Sequence, residues 1–213
     1  NEVRDLLTHG LLSSPQHHDV AGAAGRVSLA AEDEAFDREA QNRLKQEAFL
    51  RAGTRCFNQK GFSGTSLDEI AEQLQVSKGA FYYHFANKEA LLTQCFDYTL
   101  DQLERLVASI EQLEAAPAVK LEAACRHIFA LQNSDQGPLL HFNAITALPP
   151  SVRQRLLTRV ASVHATLEAY VEQAVRDQQF RNLHPGIVIQ LLTGALNASM
   201  DLDAWQPIDD LDQ

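Results

Sequence analysis

Between Gly61 and Lys88 the sequence places helix-starting residues so close together that only short helices fit between them: Thr65 or Ser66, then Ser77, then Asn87. Each of these side chains can accept a hydrogen bond from the first free N–H groups of a helix. Asp68 or Glu69, three residues after the first start, can complete a capping box. Apolar residues follow each start at helical spacing. Leu67, Ile70, Ala71 and Leu74 form the first stripe, Phe81 and Phe85 the second, and Leu91, Leu92, Cys95 and Phe96 the third. Gln75-Val76-Ser77 is left as a short turn. Two short helices joined by such a turn are the geometry by which one helix is offered to a DNA major groove.

The stretch VSKGAFYYHFANKEAL, residues 76 to 91, holds more rings than one helix can bury on one side. With Phe81 and Phe85 turned inward at 100° per residue, Gly79, Ala80 and Tyr83 point away from the core, and Tyr82 and His84 lie on the flanks. Gly79 and Ala80 keep the leading turn slim, so the backbone can approach a surface closely. The hydroxyls of Tyr82 and Tyr83 can donate to phosphate oxygens. The stem of Lys78 is long enough to carry its ammonium from the flank to a phosphate or a base edge. Thr65 and Lys88 stand at the starts of neighbouring helices, where free N–H groups favour an anion. The bland alternative packs both tyrosines half-buried against a later helix and leaves Lys78 and Lys88 as ordinary solvated charges.

The charge distribution is compatible with a polyanion at this segment alone. The 213-residue chain has a net charge of −10, yet residues 41–100 carry seven Lys or Arg against six Asp or Glu. Residues 1–40 carry three against eight, and residues 101–213 eight against fourteen. Nearby cations, rather than the total, attract a polyanion. So thin a basic balance implies weak non-specific affinity.

Helical periodicity runs almost throughout, and no strand pattern competes with it, so the fold class is all-α. Leu44, Ala48, Ala52 and Cys56, flanked by Phe49 and Phe57, predict a helix that Gly61 stops. The helix after Asn87 is expected to continue through Leu100, Leu103, Leu106, Val107 and Ile110 towards Pro117. About four further helices follow, broken near Gly137-Pro138, Pro149-Pro150 and His184-Pro185, with Pro150 and Pro185 suited to first turns. Residues 13–35, rich in Ser, Ala, Gly and Pro, read as a linker, and the acidic tail from Asp201 as frayed. No apolar run is long enough to span a bilayer, and the opening NEVRDLL lacks the order of a secretory signal, which places the chain in the cytoplasm without a membrane partner. Cys56, Cys95 and Cys125 form no C-x-x-C and are expected as buried thiols.

Residues 43–96 resemble the DNA-binding region of the TetR/AcrR family of bacterial transcriptional regulators. The resemblance is carried by AFLRAGTRCFNQKGFSGTSLDEIAEQL and by VSKGAFYYHFANKEALL. A glycine after the first helix, G-T-S before the second, V-S-K-G, Y-Y-H-F and N-K-E-A-L-L occur in order. By that resemblance Thr65, Ser77, Lys78, Gly79, Ala80, Tyr82, Tyr83, His84 and Lys88 fall where DNA contacts are made. Gln75 departs from the pattern, because a small residue commonly precedes V-S-K-G.

The resemblance divides the chain into an N-terminal helix and arm (1–40), a three-helix helix-turn-helix domain (41–96) and a helical effector-binding and dimerisation domain (97–213). It implies a homodimer on a palindromic double-stranded operator, acting as a repressor that a small, mostly apolar effector releases. One recognition helix reads only a few base pairs, so a two-fold dimer is the usual route to specificity. The helices at about 151–179 and 185–203 are candidate dimer faces, with Gly194, Ala195 and Ala198 small enough for close approach. The alternative packs those residues inside one subunit. Phe129, His141, Phe142, Asn143, Tyr170 and Trp205 are candidate effector contacts, with plain core as the alternative for each.

His127, His141 and His164 lack metal-pair spacing. No G-x-S-x-G, H-E-x-x-H or phosphate-cradling glycine loop is present, so the sequence calls for no metal, no cofactor and no enzymatic apparatus. NEVRDLLTHGLL reads as an amphipathic helix resembling the closing helix of another TetR-type body, which raises a tandem arrangement beside a native N-terminal arm. A rival function remains: a ligand-sensing or protein-interaction module that keeps the helix-turn-helix as scaffold, without strong DNA binding.

Overall fold

The computed structural model describes residues 38–134 and 137–198. Among them seven α-helices and one 3-10 helix follow in order: α1 Arg38–Gly64, α2 Leu67–Gln73, α3 Lys78–His84, α4 Lys88–Glu111, α5 Pro117–Gln132, the 3-10 helix Phe142–Ala147, α6 Pro150–Arg176 and α7 Pro185–Ala198. The chain is all-α, a helix-turn-helix followed by a helical body. The helix expected at residues 2–12, the linker, Trp205 and the acidic tail lie outside the described residues.

Local chemistry sets the helix ends. The Ser77 hydroxyl accepts from the Ala80 N–H at 3.2 Å, and Asn87 Oδ1 from the Ala90 N–H at 2.8 Å. The capping box expected at α2 does not form: Ser66 holds the cap position with no side-chain hydrogen bond. The neighbouring hydroxyl turns back to α1 instead. Gly61 takes φ 68° and kinks α1, which frees its carbonyl, and the Thr65 hydroxyl donates to that carbonyl at 2.8 Å.

The turn after α2 is a paired-carbonyl cap. The Val76 N–H donates to Ala71 O and the Gln75 N–H to Glu72 O, both at 3.0 Å, with Gln75 in the left-handed region at φ 56°. The end of α6 repeats it: Gln179 N–H donates to Ala174 O at 2.8 Å and Gln178 N–H to Val175 O at 3.1 Å, with Gln178 at φ 58°.

Among the described residues the core forms two apolar clusters. The first joins Phe49, Leu50, Ala52, Cys56 and Phe57 of α1 to Ile70, Phe81 and Phe85, to Leu91 through Leu100 of α4, and also to Leu140, Ile145, Leu148 and Leu156. It therefore reaches past residue 96. The second joins Leu106, Val107 and Ile110 of α4 to the inner faces of α5, α6 and α7. Helix α4 contributes to both. Gly53 lets α1 approach α4 closely, since a Cβ there would meet Leu91 Cδ2 at 3.1 Å. The expected stripe on α1 needs one correction. Leu44 is 57% exposed, because the first turns of α1 run ahead of the helices it packs on and burial begins at Phe49.

Side chains pin the segment at 137–141 to its surroundings. Asn58 of α1 clasps it twice, donating to Leu139 O and accepting from the His141 N–H, both at 2.9 Å. Arg55 donates to Gly137 O at 3.3 Å. The Leu140 N–H donates to the buried Thr99 hydroxyl at 3.0 Å, and the Leu139 N–H to Gln132 Oε1 at 3.1 Å. An ion network ties α4 to α6. Arg155 bonds both carboxylate oxygens of Asp97 at 2.6 and 3.0 Å. Arg159 bonds both of Glu104 at 2.8 and 2.7 Å, and reaches Asp101 at 2.6 Å and Asp97 at 3.0 Å.

Candidate DNA-facing surface

Helix α3 owes its orientation to its two phenylalanines. Phe81 and Phe85 are fully buried, with ring centroids 5.3 Å apart, and Phe49 of α1 sits 5.2 Å from Phe81. Once that face is fixed, helical geometry places the others. Tyr83 is 86% exposed and Tyr82 45%. Gly79 and Ala80 are exposed, and a Cβ at Gly79 would meet nothing within 4 Å. The fold itself thus makes no steric demand for glycine there. His84 is half-buried on the flank, edge-on to Phe49 at 5.2 Å and to Tyr83 at 5.4 Å. Ser77 is exposed at the head of the helix, with its hydroxyl engaged in capping.

Thr65 and Lys88 are placed differently from Lys78. Thr65 is only 3% exposed, with its hydroxyl turned back to α1. Lys88 is half-buried; its ammonium donates to Thr65 O at 3.0 Å and Ser63 O at 3.5 Å, and lies 4.6 Å from the Phe62 ring centroid. It closes the α1–α2 connection. Lys60 pairs with Glu69 across the same connection.

Sequence reasoning missed Asp68. It stands in the first turn of α2, and its carboxylate takes Lys78 Nζ at 2.5 Å on one oxygen and the Tyr82 hydroxyl at 3.3 Å on the other. The Lys78 ammonium holds the Asp68 carboxyl below the usual carboxylate range, with the Tyr82 hydroxyl adding to it, and Asp68 in turn raises Lys78. The available signal was an acidic residue opening the helix ahead of a seven-residue helix with a single lysine. Its spacing of ten residues belongs to no local pattern.

The candidate effector residues do not share one cluster. Phe142 belongs to the first core, where its ring stacks 5.7 Å from Phe96, while Tyr170 packs against the second. The Tyr170 hydroxyl is buried without a hydrogen-bond partner, and burial pushes its pKa to about 12. Phe129 is 43% exposed on α5, Asn143 is exposed on the 3-10 helix and His141 half-buried. Cys56 and Cys95 are buried and Cys125 half-buried; desolvation raises the Cys95 thiol to about 12. Among the described residues no group of three or more His, Cys, Asp or Glu could hold a metal ion, and no helix is long and apolar enough to cross a membrane.

Residues 49–95 match the family described as "Bacterial regulatory proteins, tetR family". The uncharacterized HTH-type transcriptional regulator YerO of Bacillus subtilis is 40% identical over 68 residues, which are 32% of this chain and 24% of that protein. The chain thus spans about a quarter of the length of the first curated relatives it matches, 24% and 25% for YerO and YuxN. The Tn10 TetC protein of Escherichia coli is 26% identical over 150 residues, 70% of this chain and 74% of TetC. A crystal structure of AibR in complex with isovaleryl coenzyme A and operator DNA superposes with a TM-score of 0.64 at 25% identity, covering 78% of this chain and 89% of that one. The inward phenylalanines, the capped seven-residue helix with its tyrosines outside and these likenesses agree: residues 49–95 form a helix-turn-helix of the tetR family of bacterial regulatory proteins, and the chain around it is similar in fold to regulators that carry one.

Proposed function

We propose that the protein is a cytoplasmic, dimeric, ligand-responsive repressor that holds a palindromic operator and is released by a small, mostly apolar effector. The observation that carries this reading is the division of α3: two phenylalanines wholly buried, Tyr83 almost wholly free and Gly79 unobstructed. A fold gains nothing from leaving a ring exposed, whereas a phosphate backbone offers it a partner. Gly194, Ala195 and Ala198 are exposed on α7, which supports a helix-to-helix face between two copies. AibR's complex with isovaleryl coenzyme A and operator DNA supports a body that takes an organic ligand while the other end takes DNA. Residues 41–96 serve as the DNA-binding domain and residues 97–213 as the body in this reading. An effector acts only by binding the DNA-incompetent arrangement more tightly than the competent one.

The test is a salt titration on a duplex that the wild-type protein selects from a random pool. Tyr83→Phe should weaken binding across sequences with little change in preference, and Lys78→Ala should also flatten the salt dependence. Equal affinity of wild type and both variants at every salt concentration defeats the assignment. The scaffold reading draws on the internal engagement of Lys60, Lys78 and Lys88. Failure of the wild type to retain any duplex from the pool would favour it.

A further inference from the structure

We propose that Asp68 is a stand-in for a DNA phosphate: in the free protein it occupies Lys78 and Tyr82, and only a duplex bound in register takes both donors from it. The inference rests on the DNA-binding reading above. Lys78 and Tyr82 lie one turn apart on the same flank of α3, and each meets its own oxygen of the Asp68 carboxylate. A phosphate offers the same chemistry, two acceptor oxygens on one anionic centre. Lys78 is the one Lys or Arg in α3, so this pairing removes the recognition helix's formal cation from the free surface.

The exchange is physically easy. The Lys78 and Asp68 side chains are 68% and 45% exposed, and exposed pairs of this kind add little to folding. Lys88, by contrast, is held by two carbonyls and a ring. In a loose encounter no phosphate is aligned with the flank of α3, and Lys78 stays on Asp68. In the register-locked complex a phosphate is aligned, and both donors transfer. Asp68 thereby competes with the phosphate for both donors, which makes it a residue that sets, through Lys78, how readily the register-locked complex forms.

The experiment compares full-length wild type, Asp68→Asn, Lys78→Ala and the double variant on two duplexes, the selected one and its scrambled counterpart, across a KCl series. Asp68→Asn should tighten the selected duplex about threefold at low salt, because Lys78 and Tyr82 no longer have to leave a carboxylate to reach the phosphate. The scrambled duplex should change by less than about twofold, because no phosphate is aligned there to take the freed donors. In the Lys78→Ala background the substitution should do nothing. Equal tightening on both duplexes, no tightening on either, or tightening that persists without Lys78 each overturns the proposal. Should Asp68→Asn melt below the assay temperature, Asp68→Ser reads out the same comparison. If the wild type retains no duplex, the DNA-binding reading fails and the inference with it; a wild type that binds beside an inert Asp68→Asn sinks the inference alone.

Discussion

The ion pair of the helix-turn-helix and those between α4 and α6 are built differently. In the helix-turn-helix, Lys78 meets Asp68 through one contact between exposed side chains. Between α4 and α6, Arg159 is 23% exposed and shares three carboxylates, Asp97, Asp101 and Glu104, while Arg155 grips Asp97 with both nitrogens. A planar guanidinium in a fork of carboxylate oxygens fixes distance and angle together; a single ammonium fixes neither. At these two places arginine stands where two helices must keep their register, and lysine where a partner can be exchanged.

The sharpest way to break that contrast is to remove the shared arginine. Arg159→Ala should lower unfolding free energy by about 1 kcal/mol in urea denaturation, since Asp101 and Glu104 lose the guanidinium they share while Asp97 keeps Arg155. Lys78→Ala should leave the denaturation midpoint where it is. Similar midpoints for the two variants would erase the distinction.

Acidity probes the same network more gently. The Arg159 guanidinium holds Glu104 below its ordinary value of 4.5. A carboxylate depressed in the folded state adds stability above its unfolded pKa and loses it as pH falls through the folded value. Wild type should therefore lose more stability than Arg159→Ala as pH drops below about 4.5, by about 1 kcal/mol at most once screening at the 41% exposed Glu104 is allowed for. Parallel stability–pH curves would remove the network from the account.

The two regions should respond alike where their backbone is alike. Gln75 and Gln178 both hold left-handed positions that glycine fills without a Cβ penalty. Gln75→Gly and Gln178→Gly should each stabilise by about 0.5–1 kcal/mol, read from thermal or denaturant unfolding. A loss at either site would mean that the glutamine side chain contributes more than its backbone strain costs.

Much of this was legible in the sequence because it is local. Ser77 and Asn87 cap where their side chains predict, and Phe81 with Phe85 fixes which way the tyrosines face, since a helix leaves no freedom once two inward positions are set. Gln75 stood out as the odd residue before the turn, and the left-handed φ there supplies the physical reason a small residue suits it. What escaped depends on contacts between elements. Leu44 continues the stripe of α1, yet it is 57% exposed. Thr65 had the chemistry of a cap, but Ser66 holds the cap position and the Thr65 hydroxyl donates back to Gly61 O. The engagement of Lys78 by Asp68, and of Lys88 by the α1–α2 connection, requires knowing which helices face each other. The periodicity that gives every helix does not give that.

The chain at 137–141 looks like ordinary connecting sequence, the kind that accepts insertions. Its backbone says otherwise: N–H and C=O groups from Gly137 to His141 are taken up by Arg55, Asn58, Thr99 and Gln132, which come from three helices. A single added residue there would put every one of those partners out of step, so this stretch behaves as a strand borrowed by side chains and has a fixed length. Engineers seeking a place to splice a tag or sensor into the protein should leave it alone.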